Sequence, residues 1–265
     1  MKFATTASAL LLAGSAVASP LSQRVARRSN RHGISRPNAR LTGTRLAQKN
    51  DDQSTNWSGA VLVDSGFTKV SGSVVAPTPS IPSGGDDSTQ YCASAWVGID
   101  GDTCQSALLQ TGFDFCIQGG SVTYDAWYEW IPDNAYDFSG IDISAGDTIE
   151  MSVEATSTTS GVATITNQSN GQSVTHTFTS SEVQSSLCQT NAEWIVEDFT
   201  IISGGSESLA PFPAFDTVTF TDASATSGSG SVDTSGADII DLIDQSGNVV
   251  TTASASGNQV VVTYQ

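Results

Sequence analysis

Two short segments carry the side chains best suited to chemistry. Tyr124 to Trp130 reads YDAWYEW and Ala192 to Phe199 reads AEWIVEDF, so carboxylates sit among indoles and phenols. Four of the five tryptophans lie within a few residues of Asp or Glu, which points to a cleft lined by aromatics and acids. What is missing narrows the mechanism further. His176 is the only histidine beyond the first 50 residues, sits in an alternating THTF run, and has no GxSxG near it. A Ser-His-Asp triad therefore has no support, and an imidazole protonated in acid is useless as a base. Four cysteines without a CxxC and so little histidine make a tetrahedral metal site unsupported, and no cofactor is expected. Paired aspartates of the pepsin type need two D-[ST]-G loops. Gln110-Thr111-Gly112 has an amide at the acidic position, and Asp233-Thr234-Ser235 lacks the glycine. Chemistry falls to carboxylates and amides, as in an acid hydrolase.

Strands must position these groups. From Trp57 onward, short runs alternate apolar and polar residues between Gly, Ser, Asn and Asp, the pattern of half-buried antiparallel strands. Thr148 to Ala155 (TIEMSVEA) alternates cleanly, and Val162 to Ile165 and Val174 to Phe178 flank Asn170-Gly171, a hairpin signal. Asp216 to Thr221, Ala237 to Leu242 and Val260 to Tyr264 continue the pattern to the C-terminus. No stretch has helical periodicity. The expected fold is all-β, with two antiparallel sheets face to face, and Pro77 to Asp87 is a surface loop.

Charge divides the chain in two. Nine of the ten Lys and Arg residues fall in the first 50 positions, which hold no Asp or Glu; residues 51 to 265 carry all 27 acids against Lys69 alone, a net −26. Such a polyanion cannot hold nucleic acid through phosphate contacts. Self-repulsion among ionised carboxylates suits it to acidic surroundings. Residues 1 to 18 read as a secretory signal peptide: Lys2, an apolar ASALLLA core and an Ala16-Val17-Ala18 cleavage site. The apolar run is too short to span a membrane, so a secreted, extracellular protein with no membrane partner is expected. Residues 19 to 53 form a basic strip without a core of its own, expected to be a propeptide that lies on the acidic domain of residues 54 to 265 and shields its carboxylates. Acid would weaken that contact by protonating the partner. In an exported chain Cys92, Cys104, Cys116 and Cys188 should pair, with three connectivities open.

Longer motifs carry a resemblance. NWSGAVL (Asn56 to Leu62), CASAWVGIDGDTC (Cys92 to Cys104), LLQTGFDFC (Leu108 to Cys116), YDAWYEW and TNAEWIVEDF (Thr190 to Phe199) are similar, in order, to segments of the fungal glutamic peptidases, the eqolisins. The resemblance implies a concanavalin-like jelly-roll sandwich and a secreted acid endopeptidase, insensitive to pepstatin, that cuts protein or peptide substrates. It implies Gln110 and Glu197 as catalytic residues. Strand alternation puts Glu193 and Glu197 on one face and cannot choose between them; the choice of Glu197 rests on the motif. Trp57, Trp96, Asp100, Asp114 and Glu129 match positions in or near the family's cleft and are expected to bind substrate, water or Gln110. Also implied is a Cys104–Cys188 bridge, which leaves Cys92 for Cys116.

In such a dyad the carboxylate draws a proton from a water that attacks the peptide carbonyl, and the amide donates to the oxyanion. Unlike a second aspartate, the amide has no pKa in the working range. Two rival readings use the same features: a jelly-roll glycoside hydrolase with a pair such as Glu129 and Glu197, and a non-catalytic lectin-like module. Ile131 stands where relatives often have an aromatic, and the Pro77 to Asp87 loop lacks the basic residues of a processing site, so a single mature chain, acting as a monomer, is expected. Of the sequons at Asn56 and Asn167, Asn167 is the expected glycan site, because Asn56 neighbours Trp57.

Overall fold

A computed structural model describes residues 33–41, 52–203 and 205–265. The expected signal peptide and most of the basic strip lie outside the described residues, among which no helix is long and apolar enough to cross a membrane. Among the described residues all regular elements are strands, as the period-two patterning requires. One sheet runs in the order Asp238–Ile243, Trp57–Val63, Asn191–Glu197, Tyr91–Ile99, Leu108–Gln118, Ser121–Ile131 and Tyr136–Asp137. The other runs Gln172–Phe178, Ser160–Asn167, Thr148–Ser157, Lys69–Val75, Thr217–Ser227, Gln259–Tyr264 and Val249–Ser256. Val249–Ser256 also pairs with Asp238–Ile243, so the ladder is continuous and folds back on itself as a sandwich.

Between the layers lies the core. Ala93, Ala95, Val97 and Ile99 of one strand, with Leu109, Phe113, Phe115, Trp194 and Val196, meet Val70, Val74, Ile149, Met151, Val153, Phe220, Val260 and Val262 from the facing layer. Trp194 crosses the sandwich and donates its indole N–H to the Ser71 carbonyl at 2.8 Å. Gly72 makes room for it, since a Cβ there would stand 3.1 Å from the Trp194 ring.

Alternation leaves the opposite face of the first sheet to build something else. Trp57, Val61, Trp96, Leu108, Trp127, Ile131, Ile195 and Ile240 form a second apolar cluster on that face. Two disulfides tie it down: Cys92–Cys116, between register partners, and Cys104–Cys188, closing 84 residues. The Asn170-Gly171 hairpin is present, but pairing stops at Asn167 and Gln172, so its loop is four residues rather than two. Asn167 itself is fully buried, and its amide donates to the Asp142 carbonyl and Asp147 Oδ2 at 2.8 Å each. The glycan expected there has no room and no free nitrogen. Asn56 is buried as well, 3% exposed.

Candidate active site

Antiparallel register sets the cleft face in rows. Val61, Glu193, Gly98, Gln110 and Glu129 are successive partners across five strands. The next row holds Gly59, Ile195, Trp96, Gly112 and Trp127; the third holds Trp57, Glu197, Ser94, Asp114 and Asp125. Gln110 is fully buried and donates from Nε2 to Glu129 Oε2 at 2.7 Å, while its Oε1 has no partner. Only one of the two amide hydrogens is used by Glu129. The side chain is held in place with a donor and an acceptor to spare.

Glu197 lies two strands over from Gln110 and four residues along. Trp96 closes that gap. Its Nε1 donates to Glu197 Oε2 at 2.9 Å, and the far edge of the same indole lies over Gly98, the register partner of Gln110. A Cβ on Gly98 would stand 2.9 Å from Trp96 Cζ3, and one on Gly112 would stand 2.4 Å from Trp96 Cβ. Gly98 makes room for the ring and Gly112 for the Trp96 backbone and Cβ, so the indole runs from Glu197 to the register partner of Gln110. Trp57 packs edge-to-face on Trp96, with centroids 4.9 Å apart.

Glu193 shares the row of Gln110, but the space over Gly98 between them is filled by Trp96 and by Leu108, whose Cδ1 would lie 3.0 Å from a Cβ. It is fully buried and neither carboxyl oxygen has a partner. Burial, with the charges of Asp100 and Asp102 added, pushes its pKa well above the usual carboxylate range. That burial favours the neutral acid over the carboxylate. Burial also raises Glu197 to about 7, against the lowering effect of hydrogen bonds from the Arg36 amide, Ser35 and Trp96. Asp198 goes to about 8 through burial and the Glu197 charge.

Asp114 accepts from Ser94 Oγ at 2.6 Å and Trp127 Nε1 at 2.8 Å, which orients the cleft wall beside Glu197. Asp100 does not face the cleft. From a left-handed backbone, φ 73, its carboxylate accepts the amides of Cys188, Gln189 and Thr190 at 2.7 to 2.8 Å. That pins the loop leading into Asn191–Glu197, so the expected substrate contact at Asp100 is replaced by a structural one.

Residues 33–41 cross this face. Gly33–Ile34 pairs with Thr200–Ser203, and the Arg36 amide donates to Glu197 Oε1 at 3.0 Å. Trp57 Nε1 and Asn56 Nδ2 donate to the Arg36 carbonyl at 3.0 and 3.2 Å, and the Asn38 amide reaches the Gly101 carbonyl at 2.9 Å. Asn38 Nδ2 and Arg40 both bind Asp102. Sequence patterning offered no signal for Asp102 or for the binding role of Asn56, because their partners are 17 to 64 residues away.

The peptidase A4 family model matches residues 55–264, nearly the whole acidic domain. The chain belongs to the peptidase A4 family. It is 48% identical over 291 aligned residues to aspergillopepsin-2 of Aspergillus niger and 46% identical over 275 to scytalidopepsin B of Scytalidium lignicola, with all of each chain covered. A crystal structure of scytalido-glutamic peptidase with a transition state analog inhibitor superposes with a TM-score of 0.72 at 48% identity, covering 80% of this chain and 98% of that one. The family is that of the eqolisins, and the chain is a glutamic-type endopeptidase with their sandwich fold.

Proposed function

We propose that the mature domain is a secreted acid endopeptidase in which Glu197 is the general base and Gln110 the oxyanion donor. One observation carries the choice of Glu197 over Glu193: Glu197 already accepts the N–H of an extended chain laid across the cleft, while Trp96 holds its other oxygen. A substrate would lie over Trp96 in the same way, between Glu197 and Gln110. Once residues 33–41 leave and water reaches Glu197, the burial that raises its pKa is relieved, and the ionised carboxylate takes a proton from water as the water oxygen bonds to the peptide carbonyl carbon. The spare Gln110 N–H donates to the oxyanion, a contact worth about 3 to 4 kcal/mol in other hydrolases. As the C–N bond breaks, the protonated Glu197 returns its proton to the leaving nitrogen. Asp114 and Glu129 act through their partners: Glu129 fixes the rotamer of Gln110, and Asp114 holds Ser94 and Trp127.

In the full chain Glu197 Oε1 is capped by the Arg36 amide, so the attacking water has no place. Residues 19–53 are a propeptide on this reading, laid on the acidic domain by opposite charge. Secretion is supported by the leader at residues 1–18 and by two disulfides, which persist in oxidising surroundings. Casein hydrolysis at pH 3, unaffected by pepstatin, by enzyme freed of residues 33–41 tests the reading. No turnover by that enzyme would overturn it.

A further inference from the structure

Arg40 sets its guanidinium among three carboxylates. The two terminal nitrogens reach Asp52 Oδ2 and Asp102 Oδ2 at 2.8 Å each, and Asp238 Oδ2 stands 3.7 Å away. Asp102 is built into the wall, its side chain 2% exposed, with Oδ1 accepting from Asn38 Nδ2 at 2.7 Å. Asp238 belongs to the row of Gln110: it pairs with Val61, and Val61, Glu193, Gly98 and Gln110 follow in register. Four strand spacings of about 4.8 Å make about 19 Å, a span that an extended peptide covers in about six residues.

Charge makes the socket unusual. Beyond residue 51 the only Lys or Arg is Lys69, and it pairs with Glu154 at 4.0 Å on the other sheet. With residues 33–41 gone, nothing of that charge in the domain can reach Asp102 or Asp238. A guanidinium or ammonium arriving on another extended chain would find the same pair of acids. We propose that Asp102 and Asp238 form a substrate subsite for a Lys or Arg side chain about five residues from the bond being cut, occupied in the full chain by Arg40. This rests on the peptidase reading and on removal of residues 33–41.

The test uses acid-matured enzyme whose N-terminus is verified by mass spectrometry, assayed at about pH 5.5 because burial raises the pKa of Asp102 and stronger acid would discharge the socket. A peptide with one scissile bond and no cationic residue is compared with versions carrying a single Arg at each of six positions on either side. One position should raise kcat/KM by about tenfold through KM, and the gain should fall to about one in Asp238→Asn and Asp102→Asn. Asp238 is half exposed, so its variant keeps the fold; a melting curve checks Asp102→Asn. Equal cleavage at every position, or a gain that survives in both variants, overturns the subsite. Cleavage of the neutral parent reports on the peptidase reading separately. If the parent is not cut, calorimetric binding of the Arg and neutral peptides reads the socket directly, and equal affinities overturn it.

Discussion

The backbone amide of Arg36 donates to Glu197 Oε1 at 3.0 Å, so the proposed general base is capped by a segment of its own chain. The cap holds by backbone contacts at Glu197, Trp57 and Asn56, and by the Arg40 side chain at its far end.

Loosening that far end should speed activation. Arg40→Gln removes ion pairs to Asp52 and to the buried Asp102, whereas Arg36→Gln removes only an exposed pair to Glu207, a contact of little value. At pH 4 the full-length Arg40 variant should gain casein activity several-fold faster than wild type, and the Arg36 variant at nearly the wild-type rate. Equal lag times in all three would contradict this.

Stability should fall as pH rises. Glu193, Glu197 at about 7 and Asp198 at about 8 all lie above their ordinary values of 4.5 and 3.8. Below those ordinary values both states are protonated. As pH climbs, the unfolded chain ionises first, and each unit of separation costs about 1.4 kcal/mol until the folded group titrates. The melting temperature of the full chain should therefore be highest near pH 4 and decline toward pH 8. A steady rise over that range would refute the assignment.

Glu193 separates the two candidate carboxyls. Glu193→Gln keeps the shape and removes a group that the fold holds neutral. The variant should melt higher than wild type at pH 7, match it at pH 3, and cut casein within about threefold of the wild-type rate. Unchanged melting at pH 7 would mean that the acid is not buried neutral.

Asp100 is predicted to matter for the fold. Asp100→Ala leaves the amides of Cys188, Gln189 and Thr190 without their acceptor in a partly buried loop. A loss of about 1 to 3 kcal/mol per orphaned donor is the ordinary scale, so denaturant melts should drop by several kcal/mol even with the Cys104–Cys188 bridge intact.

Period-two alternation made the strands and the two faces legible. Of the five runs that follow Thr148 to Ala155, three lie within observed strands and those starting at Asp216 and Ala237 begin one residue early; the long motifs pointed to Gln110, Glu197, Trp57 and Trp96, whose roles are proposed above. Register was not legible. Which residue faces Gln110 depends on pairing between distant strands, and only pairing reveals that Gly98 makes room for Trp96 to fill the gap before Glu193. Asp100 shows the same limit: an acid inside a cleft motif looks like a binding group in sequence, whereas its φ of 73 and its amide partners tie it to the loop before Asn191. The Asn167 sequon fails because a three-residue pattern carries no information on burial.

The most direct test compares Glu197→Gln, Gln110→Ala and Glu193→Gln in one assay. Tagged wild-type enzyme removes residues 33–41 in trans and is then withdrawn, so that maturation does not depend on the variants themselves. At pH 3 the Glu197 and Gln110 variants should each lose at least about a hundredfold in casein cleavage with unchanged melting curves, while Glu193→Gln stays active. Activity retained in Glu197→Gln and lost in Glu193→Gln would contradict the account.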